Sequence, residues 1–270
     1  RAFKLYQHGS GVSWLPTYHD MGLVGGILNP LFIGCPKYLM PPLAFLAKPV
    51  RWLRAISELR TNIAGGPNFA YQLCVDKISE EEAADLDLSC WEVAFNGAEP
   101  IRPETLAAFN AKFAPNGFRP TSHYPCYGMA ETTLLVTGGD SPELPLIQGF
   151  DRQALDGYKA IPVGSPKGKD TFNGNADLEK DNVRDLVACG FVQPHEKIII
   201  VDPKSFELLE DGLIGEIWIN GVTVGQGYWN KPEESAECFE ATCKGSDEHF
   251  LRTGDLGFFF NDQIFVTGRL

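Results

Sequence analysis

Residues 62–78 read NIAGGPNFAYQLCVDKI. A short apolar run ending in Gly65-Gly66 predicts a strand closed by a turn, and Pro67 then opens a helix with its fixed φ. A strand followed at once by a helix is the repeating step of an α/β sheet.

The same alternation extends in both directions. VSWLP (12–16) and KYLM (37–40) read as strands, and FLAKPVRWLRAISELR (45–60) as a helix. WEVAFNGAE (91–99) is the next strand, followed by the helix IRPETLAAFNAKFA (101–114), where Pro103 suits the first turn. MGLVGGILNPLFIG (21–34) is too short for a membrane span and is cut by Pro30, so it reads as a buried helix and turn. The acidic stretch ISEEEAADLDLS (78–89) reads as a solvated helix and loop. The character changes after Asp140. Residues 141–190 are rich in Gly, Pro, Asp and Lys with little periodicity and read as a long, insertion-like connection. KIIIVD (197–202), GEIWING (215–221), FLRTGDLGFFF (250–260) and QIFVTGR (263–269) then predict β-hairpins, interrupted by the helix PEESAECF (232–239). The expected fold class is α/β: mixed sheets with flanking helices over 1–140, the connection over 141–190, and a β-rich subdomain over 191–270.

Composition narrows the function. Among 270 residues, 35 acidic against 23 basic side chains give a formal charge of −12 and no basic patch, which disfavours nucleic acid and anionic membranes as partners. Seven widely spaced cysteines without a C-x-x-C pair argue against a disulfide framework or zinc ribbon and for reduced thiols in the cytoplasm. No signal peptide is evident and the chain opens at Arg1 within ongoing structure, so it reads as a fragment.

Five short stretches carry candidate chemistry, each with a plainer reading beside it. In HYPCYGMAETT (123–133), the Tyr127 ring can stack on a base, Gly128 lets backbone approach a ligand, and Glu131 can offer oxygen to a hard cation or simply start a helix. In WLPTYHDMGLVGG (14–26), His19 can bind an anionic group or be structural. FNGAEP (95–100) can present peptide planes to a flat base or be an ordinary turn. Asp255 in LRTGDLG (251–257) can accept ribose hydroxyls or close an Asx-turn. Arg269 in VTGR (266–269) can reach ribose or phosphate, or be a surface cation.

In this combination and order, together with GGPNFAYQLC and GEIWINGVTVGQGYWNKPEES, these stretches resemble blocks of the adenylate-forming enzyme superfamily, most closely the fatty acyl-AMP ligases. The resemblance covers nearly the whole chain. It implies part of that superfamily's large-domain fold and an ATP-dependent activation of a fatty acid to acyl-adenylate, with pyrophosphate released and the acyl group passed to an acyl carrier protein. It implies Tyr127 against adenine, with Asn96, Gly97, Ala98, Glu99 and Pro100 as the wall and Gly128, Met129, Ala130 and Thr132 in the same nucleotide-binding set. Glu131 would be the Mg2+ ligand, Asp255 would hold the ribose hydroxyls, Arg269 would assist at ribose and phosphate, and His19 would lie near the fatty-acid carboxylate. His19 and Glu131 are thus the catalytic candidates. The acyl tunnel would draw on MGLVGGILNPLF and GGPNFAYQL.

Most relatives carry threonine before the glutamate; Ala130 stands here, as it often does in fatty acyl-AMP ligases. The long 141–190 stretch resembles the insertion that separates them from acyl-CoA ligases. The phosphate loop and the lysine-bearing small domain of the superfamily are absent from these residues, which are therefore expected to be inactive alone. Acyl-CoA ligase activity, or a non-catalytic AMP-binding-like module in a larger regulatory protein, are the competing readings.

Overall fold

The computed structural model describes residues 9–140, 142–168, 171–172 and 182–270. The strands in chain order are β1 (Gly11–Ser13), β2 (Lys37–Leu39), β3 (Ile63–Gly66), β4 (Val93–Asn96), β5 (His123–Tyr127), β6 (Thr137–Gly138), β7 (Ile147–Asp151), β8 (Pro162–Val163), β9 (Val183–Val187), β10 (Phe191–Val192), β11 (Glu196–Val201), β12 (Gly215–Gly221), β13 (Ala241–Thr242), β14 (His249–Phe260) and β15 (Gln263–Arg269). Helices are α1 (Asn29–Ile33), α2 (Pro42–Ala47), α3 (Val50–Leu59), α4 (Asn68–Lys77), α5 (Glu80–Ala83), α6 (Pro103–Phe113), α7 (Arg152–Asp156) and α8 (Pro232–Phe239).

A seven-stranded sheet has the order β10-β6-β5-β4-β3-β1-β2. Strands β1 to β5 run parallel, while β6 and β10 close one edge antiparallel. One face packs α3, α4 and α6 through an aromatic core in which Trp14 stacks on Phe45 at 4.1 Å and Trp52 meets Trp91 edge-on at 5.2 Å. Offset and edge-on pairs suit the ring quadrupoles and hold the sheet rigid under its loops. Strands β11, β12, β14, β13 and β15 make a second, antiparallel sheet.

Three expectations change. The helix expected over 45–60 is two, α2 and α3, because Lys48 precedes Pro49 and is driven out of helical backbone to φ −152°, ψ 89°. Residues 21–34 are helical but not buried. Met21–Leu28 is π-helical and leads into α1, with Gly22, Gly26 and Pro30 inward and Leu28, Leu31 and Phe32 exposed. The cause is steric: a Cβ on Gly22 would lie 2.0 Å from the Pro16 carbonyl oxygen, so the small residues take the packed face and push the large ones outward. Within 141–190, where a connection of little periodicity was expected, β8, β7 and β9 form a three-stranded antiparallel sheet. Phe150 of β7 packs on Phe258 and Phe265 of the second sheet. Positions 141, 169–170 and 173–181 of that stretch, and 1–8 of the first subdomain, lie outside the described residues.

Candidate nucleotide and acyl site

The turns after β4 and β5 open on a single cleft of about 1090 Å³. After β4, Gly97, Ala98, Glu99 and Pro100 form its wall. Ala98 sits at φ +70°, a left-handed conformation that a non-glycine residue holds only when its surroundings impose it. The Glu99 carboxylate accepts from the Phe69 amide at 2.6 Å and so caps the first turn of α4. After β5, Tyr127, Gly128, Met129, Ala130 and Glu131 also line the cleft. Gly128 is required there: a Cβ would stand 1.7 Å from the Leu134 carbonyl oxygen.

Glu131 lies in the single 3-10 turn Ala130–Thr132 and accepts a hydrogen bond from the Tyr228 hydroxyl at Oε1, 2.8 Å. Its Oε2 has no partner among the described residues. Desolvation, with Glu131 and Cys238 adjacent, pushes the Tyr228 phenol above its ordinary range, so it remains a donor. The Glu131 backbone is fixed as well, since its carbonyl accepts from the Gly225 amide at 2.7 Å.

Asp255 reaches the cleft from the second sheet. The β14–β15 register sets it opposite Arg269, whose Nε lies 3.0 Å from Oδ1, while Tyr127 donates its hydroxyl to Oδ2 at 2.8 Å. Burial raises the Asp255 pKa, and the Tyr127 hydrogen bond and Arg269 partly offset that rise. Each carboxylate oxygen keeps one acceptor position, enough for a pair of vicinal hydroxyls. Under this turn, Glu216 accepts from Arg252 Nε at 3.1 Å and Nη2 at 3.0 Å and from the Gly254 amide at 3.1 Å. His19 borders the same cleft, half exposed, with Nδ1 against Asp20 Oδ1.

The structure therefore brings His19, Gly97, Ala98, Glu99, Pro100, Tyr127, Gly128, Met129, Ala130, Glu131, Asp255 and Arg269 to one cavity. Asn96 and Thr132 are not part of its lining. Strand alternation turns Phe95 toward the cleft and Asn96 into the core, fully buried. Thr132 is fully buried too, and its hydroxyl is spent on the Met129 carbonyl at 2.9 Å. Three contributors escaped the sequence reading: Tyr228, Glu216 and Arg252. The first two lay in GEIWINGVTVGQGYWNKPEES and the third in LRTGDLG, stretches that carried the resemblance without any role being given to these residues.

A profile of the AMP-binding enzyme family matches residues 2–229. This chain belongs to the AMP-binding enzyme family. The medium-chain-fatty-acid–[acyl-carrier-protein] ligase TtuA of Teredinibacter turnerae is 41% identical over 266 residues, 96% of this chain and 39% of the relative. The probable long-chain-fatty-acid–AMP ligase FadD30 of Mycobacterium tuberculosis is 36% identical over 270 residues, 97% of this chain and 43% of the relative. A fatty acyl-adenylate ligase of L. pneumophila, solved in complex with acyl adenylate and pyrophosphate, superposes with a TM-score of 0.90 at 38% identity, covering 99% of this chain and 44% of that one. This AMP-binding family chain thus spans about two-fifths of the length of these relatives. No helix among its described residues is long and apolar enough to cross a membrane.

Proposed function

We propose that the protein carrying this chain activates a fatty acid as its acyl-adenylate and hands the acyl group to the phosphopantetheine thiol of an acyl carrier protein. The observation that carries this reading is the convergence of Tyr127, Glu131, Asp255, Arg269 and the 97–100 turn on one cleft that continues along an apolar sheet face. In the reaction, a carboxylate oxygen forms a bond to the α-phosphorus of ATP. The bond from that phosphorus to the bridging oxygen breaks, and pyrophosphate leaves with the electron pair.

Each group has a task within that reaction. Tyr127 offers its ring to adenine while its hydroxyl orients Asp255 for the ribose hydroxyls, and Arg269 adds positive charge beside the ribose and phosphate. His19 stands near the incoming carboxylate. Two anions must meet, so fixed positive charge and donors lower the barrier chiefly by positioning and electrostatics.

The residues present fit magnesium carried in by ATP. Among the described residues no three His, Cys, Asp or Glu side chains gather as a metal cage, yet Glu131 lines the cleft and makes a side-chain hydrogen bond through Oε1 alone. One carboxylate with substrate phosphates and water is magnesium's usual company. Bound there, it would screen the triphosphate and favour departure of pyrophosphate. Ala130 and the insertion-like 141–190 stretch favour the acyl-AMP ligase over the CoA ligase reading. Free cysteines throughout suit a cytoplasmic setting.

The test is a pyrophosphate-release assay on the full-length protein with ATP, magnesium and a fatty-acid series, followed by capture with holo-acyl carrier protein or free CoA. Fatty-acid-dependent release with transfer to the carrier is expected. Transfer to CoA instead makes the protein an acyl-CoA ligase, and no release with any acid leaves a non-catalytic module.

A further inference from the structure

The cleft does not stop at the nucleotide turns. It runs down the sheet face opposite the tryptophan core, over Phe95 and Ile63 to Gly11 and Lys37. The register pairs Lys37 with Gly11, Gly11 with Ile63, and Ile63 with Val93, so these four share one level across the sheet. Gly97 lies four residues farther along the chain from Val93 and three strands away from Lys37. At about 3.3 Å per residue and about 4.8 Å between strands, Lys37 stands roughly 20 Å from the nucleotide turn.

The chemistry of the walls changes over that distance. Between the nucleotide turns and Lys37 the lining is mainly apolar, with Met21, Ile63 and Phe95, and Asn29 and Pro30 also border it. Its far end is polar: Ser10 adjoins Gly11, and Cys35 lies two residues before Lys37 with its amide on the Pro30 carbonyl. The lysine stem crosses bare backbone, since a Cβ on Gly11 would meet Lys37 Nζ at 2.6 Å and Cδ at 3.1 Å. Among the described residues Lys37 Nζ makes no ion pair or hydrogen bond; its neighbours are the Ile63 carbonyl, which borders the same side of Gly11, and the Cys35 thiol. Burial lowers its pKa to about 8, an effect that Cys35 only partly offsets.

We propose that Lys37 reads the distal end of the acyl substrate and selects fatty acids that carry a second carboxylate at the ω-position. The proposal rests on the adenylation reading above. A methyl terminus would leave the ammonium desolvated against hydrocarbon, whereas a carboxylate would pair with it.

The test uses the full-length protein and pyrophosphate release with matched pairs: dodecanoate against dodecanedioate, and tetradecanoate against tetradecanedioate. Wild-type kcat/KM is expected to favour the diacid of at least one pair by about tenfold or more, the worth of one hydrogen bond to a charged group. Lys37→Met should abolish or reverse that preference by raising KM for the diacid, and Lys37→Arg should keep it. The wild-type ratio is decisive even if a variant folds poorly. Preference for the monoacid in both pairs, or a ratio that Lys37→Met does not move, overturns the proposal and leaves adenylation standing. Absence of release with every acid removes the adenylation reading and this proposal with it.

Discussion

The Tyr228 hydroxyl donates to Glu131 Oε1 at 2.8 Å, tying the loop after β12 to the turn after β5 across 97 positions of sequence. Ser235 fixes the other side of that tyrosine by accepting from its amide at 2.7 Å. The carboxylate is therefore aimed before any ligand arrives. Tyr228→Phe keeps the ring's edge-on contact with Phe239 and removes the hydroxyl alone. In the full-length protein we expect kcat for pyrophosphate release to fall about tenfold, one hydrogen bond to a charged group, with more free magnesium needed for half-maximal rate. Fatty-acid KM should not move. A variant with unaltered magnesium dependence would separate Tyr228 from the function of Glu131.

Asp255 makes a pH prediction whose sign follows from its surroundings. Its pKa is raised by burial, so the ionised form costs stability above the folded pKa, and that cost disappears as pH falls through it. The ribose binding proposed for Asp255 needs the opposite state, because protonation turns an acceptor oxygen into a donor. KM for ATP should therefore climb on acidification at a pH above the ordinary carboxylate range. Asp255→Asn should bind ATP about tenfold more weakly, lose that acid limb, and unfold at no lower temperature than wild type. The pH profile of KM for ATP, with thermal unfolding of both proteins, checks all three.

How much of this was legible depends on whether a residue's task is local. The Gly-Gly-Pro stop at 65–67 and the turns after Asn96 and Tyr127 are punctuation of the chain itself, so the order of strands and helices from 62 to 127 could be read directly. Lys48 before Pro49 was equally local, and its break in the 45–60 helix was readable but unread. Asn96 and Thr132 lie outside the cleft lining for a different reason: which side chains at a strand end or in a 3-10 turn meet a cleft depends on which of them the core takes. Tyr228, Glu216 and Arg252 act on residues 36 to 97 positions away, through hairpin register and loop closure that no nearby motif encodes. The β7–β9 sheet was obscured because its strands are short and carry charge at Asp151, Arg184 and Asp185.

Arg252 and Glu216 give a stability prediction. Glu216 is almost fully buried, and besides Arg252 it accepts from the Gly254 amide, so it holds the backbone that presents Asp255. Arg252→Met would strand a buried carboxylate, at a cost of about 3–5 kcal/mol. Pairing it with Glu216→Gln should return a large part of that loss, because the stranded charge is then gone. Denaturant unfolding of wild type, both single variants and the double variant measures the coupling. An additive result would mean the carboxylate is stabilised by backbone donors rather than by the guanidinium.

His123 is buried among Tyr71, Phe109, Phe118 and Phe172 on the core face of β5. Burial lowers its pKa from 6.5 to about 3. A histidine depressed in the folded state adds stability that is fully present above its unfolded value and is lost as pH falls from about 6.5 toward about 3, at about 1.4 kcal/mol per unit. Carboxylates titrate in the same window, so the total curve is not diagnostic, but the difference from His123→Phe is. That variant places an apolar ring in an aromatic cage and should change stability at neutral pH by less than about 1.5 kcal/mol. The gap between the two unfolding curves should then shift in favour of the variant by about 1.4 kcal/mol for each unit of acidification below pH 6.5. A gap that stays constant would mean that His123 keeps its proton inside the core.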